Sequence, residues 1–270
     1  MKKFITALLT ALFIGFCGVI YYYYENQDRY IFRSLPLSKE HQFTWEAPFE
    51  EVYLPVSHSG QIHGVYFKQK NSKGVVLFLH GNSRNLDFHG KRFVFFAELG
   101  YDFFAIDYRG FGKSSPGFKE EWFFEDSMAA YAFLKEHYPE EKIHVFGHSL
   151  GTSAATYVAA HNHPANLVLE APFYSMIAAA IHTKPFLPEW VVSLILKYPL
   201  RTDIWIERVS CPIYIFHGTH DVVVPLAQGE RLYNKVKDSK DATLFILNDH
   251  GHEHLQKHEA YQTNIKKILP

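Results

Sequence analysis

Apolar and polar positions change rhythm several times along the chain. Phe4 through Tyr24 carries no charge and no polar periodicity. At about 20 residues it is long enough to cross a bilayer as a helix. Asn26 to Ala47 shows no clear period. Strand-like alternation then begins: Glu51 to Val56 alternates, Ser59-Gly60 supplies a turn, and Ile62 to Phe67 alternates back, which predicts a hairpin. Gly74 to Leu79 is apolar throughout, as a strand buried on both faces must be, and Tyr101 to Ile106 reads as a second buried strand. Between them, Phe88 to Leu99 has helical spacing and stops at Gly100.

Helix, strand and helix follow from Glu121 to His161, and Asn166 to Leu169 is another short apolar strand. Such alternation predicts a doubly wound, mostly parallel α/β sheet covered on both faces. The rhythm breaks over 173–208, where apolar residues at helical spacing are interrupted by Pro185, Pro188 and Pro199. That segment reads as a small helical cap inserted over the sheet. Strands at Pro212–Phe216 and Thr243–Leu247 then resume the alternation, with helices at Ala227–Val236 and from about Glu253 to Ile268. The expected organisation is an N-terminal membrane anchor over 1–25, a linker over 26–48 and one α/β domain over 49–270.

The 47% hydrophobic content can bury a sizeable core, and a net charge of -1 argues against a nucleic-acid binder, which would normally show a basic face. Cys17 lies in the apolar N-terminal run and Cys211 at a strand start, which argues against a disulfide. Bulky aromatics precede Glu25 where a cleaved signal would need small residues, so the first helix reads as an uncleaved anchor. Tyr21 to Tyr24 suit the headgroup region. Lys2 and Lys3 place the N-terminus in the cytoplasm and the remaining chain on the outer or lumenal side.

Chemistry concentrates at Gly147-His148-Ser149-Leu150-Gly151, between the apolar run Lys142–Phe146 and the Ala-rich run Thr152–Ala160. Read physically, this is a buried strand, a tight turn bearing one hydroxyl, and a helix whose N-terminal N–H groups can stabilise negative charge. The bland reading of Ser149 is a helix cap, which leaves both flanking glycines without a purpose. A serine nucleophile needs a base and an acid to orient it, following strands in the order Ser, acid, His. Asp221 follows one strand and Asn248 to His254 follows the next; Glu170 is a second candidate acid, and His250 and His254 compete with His252. Gly251 favours His252 by permitting a sharp turn. Asp107 reads as an anchor for its glycine-rich loop near Arg109. Gly110-x-Gly112-Lys113-Ser114 lacks the spacer of a phosphate loop. His254 and His258 have metal-helix spacing, but no second ligand set accompanies them, so no metal is expected.

Several stretches together resemble the α/β-hydrolase superfamily from about Phe49 onward, within it the membrane-anchored, serine-aminopeptidase-like and depalmitoylase-like group. They are His80-Gly81-Asn82, Asp107 to Ser114, the Ser149 elbow, Leu169 to Phe173, His217-Gly218-x-x-Asp221-x-x-Val224-Pro225, and Gly251-His252. The resemblance implies Ser149 as nucleophile, Asp221 as acid and His252 as base. It also implies an oxyanion hole from the N–H groups of Asn82 and Leu150. His250 stands where the group usually has a small residue. The implied activity is cleavage of a small acyl ester, thioester or peptide-like substrate without cofactor. A peptidase would use the same three side chains, and a binding protein that kept the fold would be marked by a broken triad.

Overall fold

The structure, a computed structural model, describes residues 2–270; Met1, first residue of the expected anchor, lies outside them. Helix α1 (Lys2–Glu25) buries none of its side chains and is long and apolar enough to cross a membrane. The segment expected to be a linker is built into the domain instead. It forms helix α2 (Gln27–Ile31), then a two-residue strand, Arg33–Ser34, pairing in parallel with Ser83–Arg84, then a bridge from Pro36 to Gly112. Phe32 and Phe43 are buried there. Five-residue elements are too short to leave a period in the sequence, and long-range contacts hold them.

The expected hairpin is present as β1 (Glu50–Val56) and β2 (Gly60–Phe67), antiparallel with Glu50 opposite Tyr66. Six more strands follow: β3 (Val75–Leu79), β4 (Asp102–Asp107), β5 (Ile143–His148), β6 (Asn166–Glu170), β7 (Ile213–Gly218) and β8 (Ala242–Leu247). Their order in the sheet is β8-β7-β6-β5-β3-β4-β2-β1, and every pair from β8 to β4 is parallel. β3 runs on to β4 at one side, whereas β5 runs on to β6 at the other. The chain therefore reverses its winding between β3 and β5, where α/β sheets open a crevice at the carboxyl ends of their strands.

Alternate residues of the central strands feed two cores. Leu77, Leu79 and Val145 join Tyr131 and Leu134 of α5 (Glu120–Lys135), Ala155 and Val158 of α6 (Gly151–His161), and Leu232 of α10 (Leu226–Val236). Val76, Phe78 and Phe146 join Phe96 of α4 (Phe93–Glu98) and Tyr261 and Ile265 of α11 (Glu259–Ile268) on the other face. All five β3 side chains are fully buried. Each such large apolar side chain contributes about 1.5–3 kcal/mol.

Two expected helices are broken. The Phe88–Leu99 run is α3 (Leu86–His89), a 3₁₀ turn over Gly90–Arg92, and α4; the Trp45 ring packs against Gly90 and holds that bend. The last helix starts only at Glu259, because His258 is extended and its Nδ1 accepts the Ala260 N–H at 3.1 Å as a cap. The cap holds α7 (Met176–Thr183), α8 (Glu189–Ile195) and α9 (Thr202–Trp205), and no strand. Arg109 pairs with Glu125 and Asp126 of α5 at 2.6 and 2.8 Å rather than with Asp107. The Asp107 carboxylate takes the Leu86 N–H at 3.1 Å and packs against Gly112.

Candidate active site

The turn after β5 is steep because two glycines let it be. A Cβ on Gly147 would lie 2.5 Å from the Gly151 carbonyl oxygen and 2.7 Å from the Ala155 Cβ. One on Gly151 would run into the Leu79 carbonyl. Ser149 itself takes φ of 51°, a left-handed conformation that costs a serine about 1–3 kcal/mol and must be held by its surroundings. They hold it: the Ser149 N–H donates to the Glu170 carbonyl at 2.9 Å, and its own carbonyl accepts from the Thr152 N–H at 3.0 Å and hydroxyl at 2.5 Å. The result is a hydroxyl at the carboxyl end of the sheet, first in line with α6.

His252 Nε2 lies 2.9 Å from Ser149 Oγ, and His252 Nδ1 lies 2.7 Å from Asp221 Oδ2. The other Asp221 oxygen accepts the N–H groups of Val223 and Val224 at 2.9 and 2.8 Å. His217 fixes the same turn by donating Nε2–H to the Val224 carbonyl at 2.8 Å, 3.4 Å from Asp221 Oδ2. Burial alone pushes the Asp221 carboxyl up. Its contacts with His217 and His252 outweigh burial and hold it well below the ordinary carboxylate range. An ionised Asp221 requires the proton on His252 Nδ1, which leaves Nε2 free to accept from the Ser149 hydroxyl.

The His252 loop is bolted to the Asp221 loop. The His220 N–H donates to the His250 carbonyl at 2.9 Å, and the Thr219 N–H to Leu247 at 3.0 Å. Gly251 is not what bends this loop: its φ is not positive and a Cβ there would meet nothing closer than 3.8 Å. Asp249 and His254 take the left-handed turns instead. Beneath the site, His148 donates Nε2–H to the His252 carbonyl at 3.2 Å. Burial, with Arg92 and His252 nearby, keeps His148 neutral by holding its pKa well below the ordinary value.

Other candidates go elsewhere. Glu170 meets Arg92 at 2.5 Å and the Tyr261 hydroxyl, so both its carboxylate oxygens are engaged away from His252. His250 contacts the Glu253 carbonyl and His258 caps α11, so neither joins His254 in a ligand set. Ligand atoms of His148, His252 and Glu253 lie within 4.8 Å of one another, but both His252 nitrogens are already engaged.

The N–H groups of Asn82 and Leu150 donate to no protein acceptor among the described residues. Asn82 is fixed by its side chain, which donates to the Ile31 carbonyl at 2.6 Å. A cavity of about 420 Å³ opens beside Asn82 and Ser149, lined by Gly81, Asn82, His148, Ser149, Val223 and His252, and also by Tyr30, Ile31 and Arg33. The last three escaped sequence reading because nothing in 26–48 signals that it returns to the β3 loop. None of the apolar residues of the cap lines this cavity. Phe173 lies in the core, Tyr174 and Met176 pack against that core, and Phe186, Trp190 and Leu194 face outward.

A family profile described as "alpha/beta hydrolase fold" matches residues 74–208, half of the chain. The lysophosphatidylserine lipase ABHD12 of Danio rerio is 31% identical over 189 residues, covering 63% of this chain and 49% of its own length. The alpha/beta hydrolase domain-containing protein aho-3 of Caenorhabditis elegans is 28% identical over 215 residues, covering 74% of this chain and 58% of its own. The chain thus spans only half, or a little more, of these relatives. Among solved structures, an esterase of Pyrococcus furiosus superposes with a TM-score of 0.71 at 20% identity, over 88% of this chain and 96% of its own.

Proposed function

The chain belongs to the α/β-hydrolase fold family, and from that premise we propose that it is a serine hydrolase of carboxylic esters, with thioesters as chemically equivalent acyl donors. One observation carries the reading: His252 bridges Ser149 Oγ and Asp221 with 2.9 and 2.7 Å contacts at the rim of a cavity. His252 Nε2 takes the Ser149 proton as Oγ attacks the acyl carbon. Asp221 keeps the imidazole in the required tautomer and offsets the positive charge it gains. The N–H groups of Leu150 and Asn82 hold the oxyanion; a donor of this kind is worth roughly 3 kcal/mol in the transition state. As the tetrahedral intermediate collapses, His252 returns the proton to the leaving alcohol or thiol, leaving the acyl group on Ser149. Water then attacks with His252 as base, and the acid departs with Ser149 restored.

A peptidase would use the same three side chains. The ABHD12 relative is named a lipase, which favours ester over amide and points to a lipid ester. The test compares p-nitrophenyl esters and a lysophospholipid with peptide p-nitroanilides on full-length protein. Ester kcat/KM should exceed that for any anilide by at least tenfold; the reverse order would transfer the assignment to peptidase.

α1 is the membrane anchor in this reading, with Lys2 and Lys3 on the cytoplasmic side and the catalytic domain outside. A membrane-impermeant fluorophosphonate should then label Ser149 in intact cells. Labelling only after permeabilisation would reverse the orientation.

A further inference from the structure

A second and larger cavity, about 640 Å³, lies between the end of α1 and the cap. Val19, Ile20, Tyr23 and Tyr24 form one wall, and Leu187, Val192 and Ile195 belong to the other. Lys184 is the sole charged residue lining it. Both cavities fall within the roughly 300–1,000 Å³ of ligand sites, and this one has the apolar lining of such a site. Tyr30 and Ile31 of α2 line both cavities, so the two spaces adjoin across these residues.

The cap is fastened to the anchor. The Gln27 side chain donates to the Ile195 carbonyl at 2.6 Å and accepts the Lys197 N–H at 2.9 Å, while Lys197 Nζ lies 3.5 Å from Glu25. This junction fixes the depth of the cavity relative to a bilayer. The helical rise from Phe4 to Tyr23 is about 30 Å, matching the hydrocarbon core of about 30 Å. Val19 and Ile20 therefore sit at the outer edge of the acyl tails, with the tyrosines at the headgroups. On the same cap, Phe186, Trp190 and Leu194 are 76, 70 and 74% exposed. Three large apolar side chains so exposed beside a spanning helix suit an interface where one side is lipid.

We propose that the space between α1 and the cap is the acyl-chain site, entered sideways from the bilayer by the single chain of a membrane ester lipid. The chain lies along Val19–Tyr24 and passes Tyr30 and Ile31, bringing the ester carbonyl to Ser149. The anchor is then a wall of the binding site as well as a tether. This inference rests on the ester hydrolase reading above.

The test uses full-length protein in phosphatidylcholine vesicles with two substrates, 1-palmitoyl lysophosphatidylcholine and p-nitrophenyl acetate. Ala180→Trp fills the cavity from the cap side. It should lower palmitoyl turnover tenfold or more and leave acetate turnover within twofold; Leu187→Trp, on another part of the wall, should do the same. Unchanged palmitoyl turnover, or parallel loss of both substrates in both variants, overturns the site while leaving the hydrolase reading intact. A wild type that turns over neither ester overturns the hydrolase reading, and this site with it.

Discussion

His252→Ala is expected to lower kcat for a p-nitrophenyl ester roughly a millionfold, the loss seen when the base of such a constellation is removed. The imidazole is the single group that touches both Ser149 Oγ and Asp221. Without it the serine hydroxyl keeps its proton and remains a weak nucleophile. The variant should fold, because the His252 ring sits at the cavity rim and the loop is held by backbone bonds from His220 and Thr219. His250→Ala and His254→Ala should stay within about threefold of wild type, since neither ring reaches Ser149 or Asp221. Stopped assays with each purified variant, alongside circular dichroism, decide among the three histidines. Full activity in His252→Ala would dismiss it as the base.

Asp221→Asn is expected to lower kcat about 10⁴-fold through a wrong imidazole tautomer. The amide can still accept the N–H groups of Val223 and Val224, so the turn after β7 survives. Facing His252 Nδ1, however, it can present an N–H, which favours the proton on Nε2 and blocks proton transfer from Ser149. The same substitution changes how stability depends on pH. Because the folded state holds the Asp221 pKa below its unfolded value, the carboxylate stabilises the fold above about pH 4. That contribution disappears as pH falls through 4 toward the lower folded value. Denaturation curves for wild type and Asp221→Asn should therefore converge as the pH is lowered below 4. A difference that widens on acidification would mean that Asp221 is not held ionised by His217 and His252.

How much of this was legible in the sequence follows from the range of the interactions involved. The β3 run declares itself because a strand buried on both faces is apolar without interruption, and β4 and β5 keep apolar centres beside the Asp and His residues that they also bury. The elbow declares itself through its two glycines, Gly147 packed against Ala155 within one strand-turn-helix unit and Gly151 against the end of the neighbouring strand β3. Asp221 and His252 were locatable as residues just past strand ends. Choosing among His250, His252 and His254 depended on a loop whose bend lies at Asp249 and His254, so the Gly251 argument had no geometric footing. Tyr30, Ile31 and Arg33 were invisible for another reason. They reach the cavity through the pairing of Arg33 with Ser83 and the hydrogen bond from Asn82 to Ile31, contacts some fifty positions apart. The cap shows the same limit: its apolar spacing gave no sign that Leu187, Val192 and Ile195 help to form a cavity against α1. Periodicity reports that a face is apolar, not what covers it.

The central claim is an activated Ser149, and intact-protein mass spectrometry after exposure to a fluorophosphonate tests it most directly. Wild type should gain one adduct, mapped to the peptide containing Ser149, and Ser149→Ala should gain none under the same conditions. A folded wild-type protein that takes up no adduct, or a Ser149→Ala variant that takes up as much, would contradict the account.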